Sequence, residues 1–122
     1  MKESSIQEYQ IYEKSEPEQI VVVKGTLRLQ SPLAYDEPFS PIQQQIQENT
    51  SLIQVDITEL EYLNSAGISS FARLILLARS KGSQLRLICN EKFLWQAKTI
   101  SSLKKLYHKL DIKLLEQTET SD

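Results

Sequence analysis

Residues 52–82, LIQVDITELEYLNSAGISSFARLILLARSKG, constrain the fold more than any other part of the chain. Leu52, Ile53, Val55 and Ile57 place four branched apolar side chains in six residues, as in a strand buried on both faces. A brief connection follows, and from Ala66 the period changes. Ile68, Phe71, Ala72, Ile75 and Leu76 recur at steps of three and four, which marks one face of a long helix. Ser65 stands where that helix should begin, and a serine N-cap accepts a hydrogen bond from a backbone N–H the helix leaves unpaired. Gly82 stands where it should end, since glycine takes the left-handed conformation without steric cost. One hydroxyl is thus expected at the positive end of a helix, at the tip of a central strand. The local pattern leaves open whether it only caps or also serves as a recognition or modification site.

The run Asn64-Ser65-Ala66-Gly67-Ile68, preceded by Val55-Asp56-Ile57 and Leu60-Glu61-Tyr62-Leu63, resembles the signature of STAS domains, the anti-sigma factor antagonist family. The family pattern is D-[LV]-[ST]-x-[VL]-x-[FY]-[ILM]-D-S-[ST]-G-[LI]. The serine phosphorylated in its regulated members maps onto Ser65. Two positions inside the motif depart from it: Asn64 replaces the usual aspartate, and Ala66 replaces the second Ser or Thr. Upstream, Val23-Lys24-Gly25-Thr26-Leu27-Arg28 is similar to the family's G-E-L-D stretch, with Arg28 in place of an aspartate near the phosphorylated serine.

The resemblance implies a mixed β-sheet with helices packed against it, in the order β-β-α-β-α-β-α with a possible last strand. It implies a protein that acts by contact and not by catalysis, in a partner-switching pathway. The partners would be a serine kinase or anti-sigma factor and a serine/threonine phosphatase. The family's contact surface, carried onto this chain, falls on Asn64, Ala66, Gly67, Ser69, Ser70, Arg73, Leu77 and Arg28. With two acidic neighbours replaced, a phosphate on Ser65 would meet a more positive field, and Arg28 is expected within reach of it. A scaffold that is never phosphorylated and a sensor binding a small ligand or nucleotide in a cleft near Ser65 are the alternative expectations.

The rest of the chain fits the same α/β class. Residues 6–14 and 19–29 read as two strands about the turn Glu16-Pro17-Glu18, an antiparallel hairpin. Three prolines mark residues 30–41 as a loop, and Ser40-Pro41 opens a short helix carrying Ile42 and Ile46. Residues 84–89, QLRLIC, form a further core strand. Asn90 is placed to cap a helix from Glu91 to about Ile100. Ser101-Ser102 interrupt it before an amphipathic continuation through Leu103, Leu106, Tyr107 and Leu110. Residues 112–115 suit an edge strand. The expected domain is residues 1–116, with residues 117–122 a polar tail that has nothing to bury.

Composition closes off other classes. At 122 residues, 40% apolar and 25% charged, the chain is the size and make-up of one globular domain. The longest apolar run, Leu74 to Ala78, is far below the roughly 20 residues of a membrane helix. Met1-Lys2-Glu3-Ser4-Ser5 has no following apolar core of a signal peptide, and the lone Cys89 cannot pair within the chain. A cytoplasmic setting is the expectation. His108 is the only histidine and no G-x-S-x-G elbow is present, so serine hydrolysis lacks its parts. Metal-ligand spacings and glycine-rich phosphate loops are absent, so neither metal nor cofactor is expected. Residues 1–62 hold 4 Lys/Arg and 11 Asp/Glu, whereas residues 63–122 hold 10 and 5. The basic run around Lys104, Lys105 and Lys109 lacks the interleaved aromatics of a nucleic-acid surface and reads as a solvated helix face.

Overall fold

A computed structural model describes residues 8–48 and 51–115. Five strands form one sheet in the spatial order β1-β2-β3-β4-β5: Tyr9–Lys14, Ile20–Leu27, Ile53–Leu63, Leu85–Cys89 and Asp111–Leu114. The hairpin pair β1–β2 is antiparallel and every other pair is parallel. A 3-10 turn at Pro32–Tyr35 and three helices, α1 (Ser40–Glu48), α2 (Ser65–Lys81) and α3 (Leu94–Lys104), supply the crossovers. The α/β expectation holds in this form: a five-stranded mixed sheet with three helices.

Each crossover steps one strand in the same direction, from β2 to β3, β3 to β4 and β4 to β5. Right-handed connections that never reverse put all their helices on one face of the sheet. Strand alternation agrees. Val21 and Val23, then Ile53, Val55 and Ile57, then Leu85, Leu87 and Cys89 are buried and join one core with Phe71, Ile75, Ala78 and Leu103. The intervening residues form the other face, which carries polar rows. In register across β3, β4 and β5, Gln54, Arg86 and Asp111 are linked: Arg86 donates to Asp111 (2.6 Å) and to Gln54 (3.2 Å). Gln54 in turn donates to Glu18 (2.6 Å).

That open face corrects two sequence readings. The central strand is buried on both faces only at its start, Ile53 to Val55, where Gln54 is a buried polar residue; from Asp56 onward its second face opens. It is also longer than expected: the residues read as a connection continue β3 to Leu63, paired with β2 as far as Leu27. β4 pairs with β3 only over residues 53–56, so the far half of β3 loses its ladder on that side. Side chains replace the missing strand. Gln96, fully buried, donates to the carbonyls of Ile57 (2.6 Å) and Leu60 (3.1 Å). Trp95 Nε1 also donates to Leu60 (2.9 Å), and Asn90 donates to Thr58 (3.1 Å).

The α3 region differs from the expectation in the same way. Asn90 is occupied with Thr58 and a local turn to Lys92, so the helix begins later, at Leu94, after Phe93. Ser101 and Ser102 are exposed and do not interrupt it. The helix stops at Lys104, and Tyr107 and Leu110 reach the core from turns, with Tyr107 donating to the Ser83 carbonyl (2.7 Å). The last strand begins at Asp111, one residue before the expected start. The expected polar tail, residues 117–122, lies outside the described residues.

Candidate functional site

The turn from β3 into α2 is built around Asn64, not Ser65. Asn64 is the N-cap residue, with extended backbone, and its Oδ1 accepts from Gly67 N–H (2.9 Å). The same oxygen accepts from the Tyr35 hydroxyl (2.6 Å), while Nδ2 donates to the Leu29 carbonyl (2.8 Å). The Tyr35 hydroxyl also accepts from Leu29 N–H (3.1 Å), closing a ring between the loop after β2 and the start of α2. Burial raises the Tyr35 phenol above its ordinary value, so it stays a donor. Asn64 uses both halves of its amide, which an aspartate cannot do.

Gly67 sits under this ring, and a Cβ there would lie 2.3 Å from Leu63 Cδ1 and 2.8 Å from the Tyr35 ring. Its role is close approach, not an unusual backbone angle. At the other end of α2, Gly82 takes the left-handed conformation (φ 71°), and its N–H closes the last turn, as the sequence predicts.

The capping role expected of Ser65 therefore belongs to its neighbour. Ser65 is the first residue of α2; it is exposed, and its hydroxyl makes no hydrogen bond among the described residues. The outward stripe of α2 that begins there continues through Ser69, Arg73 and Leu76, all exposed, with Leu76 at 40%. The buried face is Gly67, Ser70, Phe71, Leu74, Ile75 and Ala78. This placement moves four expected contact residues inward: Gly67 and Ser70 are buried, and Ala66 and Leu77 pack partly against the core. The sequence pattern misleads because Leu74 to Ala78 is apolar on every side, so periodicity there does not fix the helix rotation. Ser70, Arg73 and Leu77 share the wall of a groove of about 210 Å³ with Asp36, Phe39 and Gln43, between α2 and the segment leading into α1.

Arg28 follows the last residue of β2, whose carbonyl accepts from Asn64 N–H (3.2 Å), so its backbone lies beside the turn. Its side chain pairs instead with Glu8 (3.8 Å), both groups being well exposed. A hollow of about 680 Å³ is lined by Lys24, Thr58, Glu59, Glu61, Asn90 and Lys92 among others, and Ser65 is not on its wall. A sheet whose crossovers never reverse also lacks the switch-point crevice where open α/β sheets bind ligands.

Tyr35 and Gln96 are the residues sequence reading passes over. Tyr35 lies 29 positions from Asn64, and nothing local to either announces the contact. No group of three or more potential metal-ligating side chains occurs among the described residues, and no described helix is long and apolar enough to cross a membrane. Neither a scan of protein-family models nor a search of curated proteins finds a match to this chain.

Proposed function

We propose that this chain is a STAS-like regulatory protein of the anti-sigma factor antagonist type, acting by protein–protein contact in a partner-switching pathway of the cytoplasm. In this reading the unmodified form docks a serine kinase or anti-sigma factor through the start of α2 and its outward stripe. Phosphorylation of Ser65 weakens that complex, and a serine/threonine phosphatase restores it.

The observation that carries the reading is the division of labour at residues 64 and 65. Asn64 holds the helix start, so the exposed Ser65 hydroxyl is not needed for folding. A phosphate there adds a charge of about −1.5 to −2 at neutral pH. At a helix N-terminus that charge is favourable to the domain itself. A partner fitted closely against a neutral hydroxyl, small serines and one arginine meets a bulky dianion and is released. Arg28 has only an exposed pairing with Glu8 to give up and lies on the neighbouring strand end, which suits it to exchange that carboxylate for the phosphate.

The scaffold reading draws on the same ring of bonds. Asn64, Tyr35 and Leu29 fix the turn without any modification, as a constitutive docking element requires. Mass spectrometry of the protein from its native cells, alongside affinity capture with wild type and Ser65→Asp, separates the two. Phosphate on Ser65 with loss of a captured partner in Ser65→Asp supports switching. Unmodified Ser65 with unchanged capture supports the scaffold.

A further inference from the structure

We infer that the chain forms a two-fold homodimer by pairing the β5 edge of one copy antiparallel with the β5 edge of the other. β5 is the last strand of the sheet, and among the described residues its only strand partner is β4. Leu115 N–H donates to the Cys89 carbonyl (2.7 Å), so in the alternating pattern of a strand the odd residues 111, 113 and 115 turn their backbone groups towards β4. The N–H and C=O of Ile112 and Leu114 therefore point outward, away from β4 and with no strand partner among the described residues. No proline or bulge guards this edge, and Leu114 and Leu115 are 47% and 46% exposed.

The sequence of the edge is complementary to itself. Asp111-Ile112-Lys113, laid antiparallel on a second copy about Ile112, sets aspartate against lysine and isoleucine against isoleucine. The ladder ends there, because Leu110 is buried in the core, donates its N–H to the Tyr107 carbonyl (2.9 Å) and accepts at its own carbonyl from Lys104 Nζ. The register agrees with the backbone. The two Ile112 residues become a hydrogen-bonded pair, using the outward groups, and Asp111 faces the second copy's Lys113 in a closer non-hydrogen-bonded pair. Both charged side chains lie on the open face of the sheet, where Asp111 already accepts from Arg86 (2.6 Å) and Lys113 has no ion pair among the described residues. Ile112 and Leu114 lie on the helix face, so the pairing extends the apolar side and the polar side together into a ten-stranded sheet. Alone, Lys113 is a charge guarding an edge; opposite a second Asp111 it becomes attractive. The other edge, β1, reads Tyr-Gln-Ile-Tyr-Glu-Lys and has no such symmetry.

Sedimentation velocity of the full chain across micromolar to sub-millimolar concentrations tests the pairing. Wild type is expected to reach twice the 14.0 kDa chain mass. Two-fold symmetry counts each altered pair twice, so Lys113→Glu, at an exposed position, should weaken dimerisation at least about tenfold with an unchanged circular dichroism spectrum. Asp111→Lys sets lysine against lysine and should also be monomeric alone, but mixed with Lys113→Glu it restores both attractive pairs and yields a heterodimer. A wild type that stays monomeric throughout overturns the proposal. So does a dimer that Lys113→Glu leaves as tight as before.

Discussion

Asn64 illustrates how one amide can decide the character of a site. Its oxygen serves the helix start and Tyr35, while its nitrogen serves the Leu29 carbonyl. Asn64→Asp keeps the first two bonds and replaces the third with a carboxylate facing a carbonyl oxygen. It is expected to cost about 1–2 kcal/mol, seen as a lower urea midpoint with an unchanged slope. An equal or higher midpoint would show that the donor is dispensable. The residue that departs from the STAS pattern is therefore the one the local structure requires, given the loop it holds. Cys89 gives a second test at this scale. Burial, with smaller contributions from Glu91 and Asp56, pushes its thiol from 9.0 up to about 12. The protonated form is favoured in the folded state, so its share of stability is complete below pH 9 and is lost as the pH rises from about 9 towards about 12. Cys89→Ala should flatten the alkaline fall in stability, and the native thiol should react with a disulfide reagent only as fast as the domain opens.

Among the elements, β3 and α3 depend on each other through a short list of polar contacts. β3 extends past the end of β4, and its exposed ladder is taken over by Gln96 and Trp95 from the first turn of α3. Gln96→Leu keeps the volume but leaves the Ile57 carbonyl and Asn90 N–H without their partner in a buried setting. A loss of about 2–4 kcal/mol is expected by chemical denaturation, with the unfolding slope unchanged. A loss under about 0.5 kcal/mol would mean that water reaches those groups. None of this is legible in the sequence, where residues 58–63 resemble a connection and Gln96 an ordinary helix polar. What is legible is local: the hairpin about Pro17, the Ser40-Pro41 helix start, the β3–α2 unit and the Gly82 stop. What is hidden is long-range: Tyr35 beneath Asn64, Gln96 against Ile57, and the rotation of α2 that buries Ser70 and exposes Leu76. Periodicity names an apolar face only where polar residues interrupt it.

At the scale of the whole molecule, crossovers that all step the same way explain why one side of the sheet is covered and the other carries hydrogen-bonded polar rows. They also place the start of α2 at the carboxyl end of the central strand, with Ser65 at the surface. The Ser65 region, the open face and the β5 edge are thereby three separate surfaces of one domain, so dimer formation and partner docking can be tested independently. The most direct test of the docking switch is affinity capture from the source cells with wild type, Ser65→Ala and Ser65→Asp at equal loading. The account predicts that wild type and Ser65→Ala retain the same partner while Ser65→Asp retains at least about tenfold less of it, since a charge forced into a close interface costs more than about 1.4 kcal/mol. Equal retention by all three forms would contradict it.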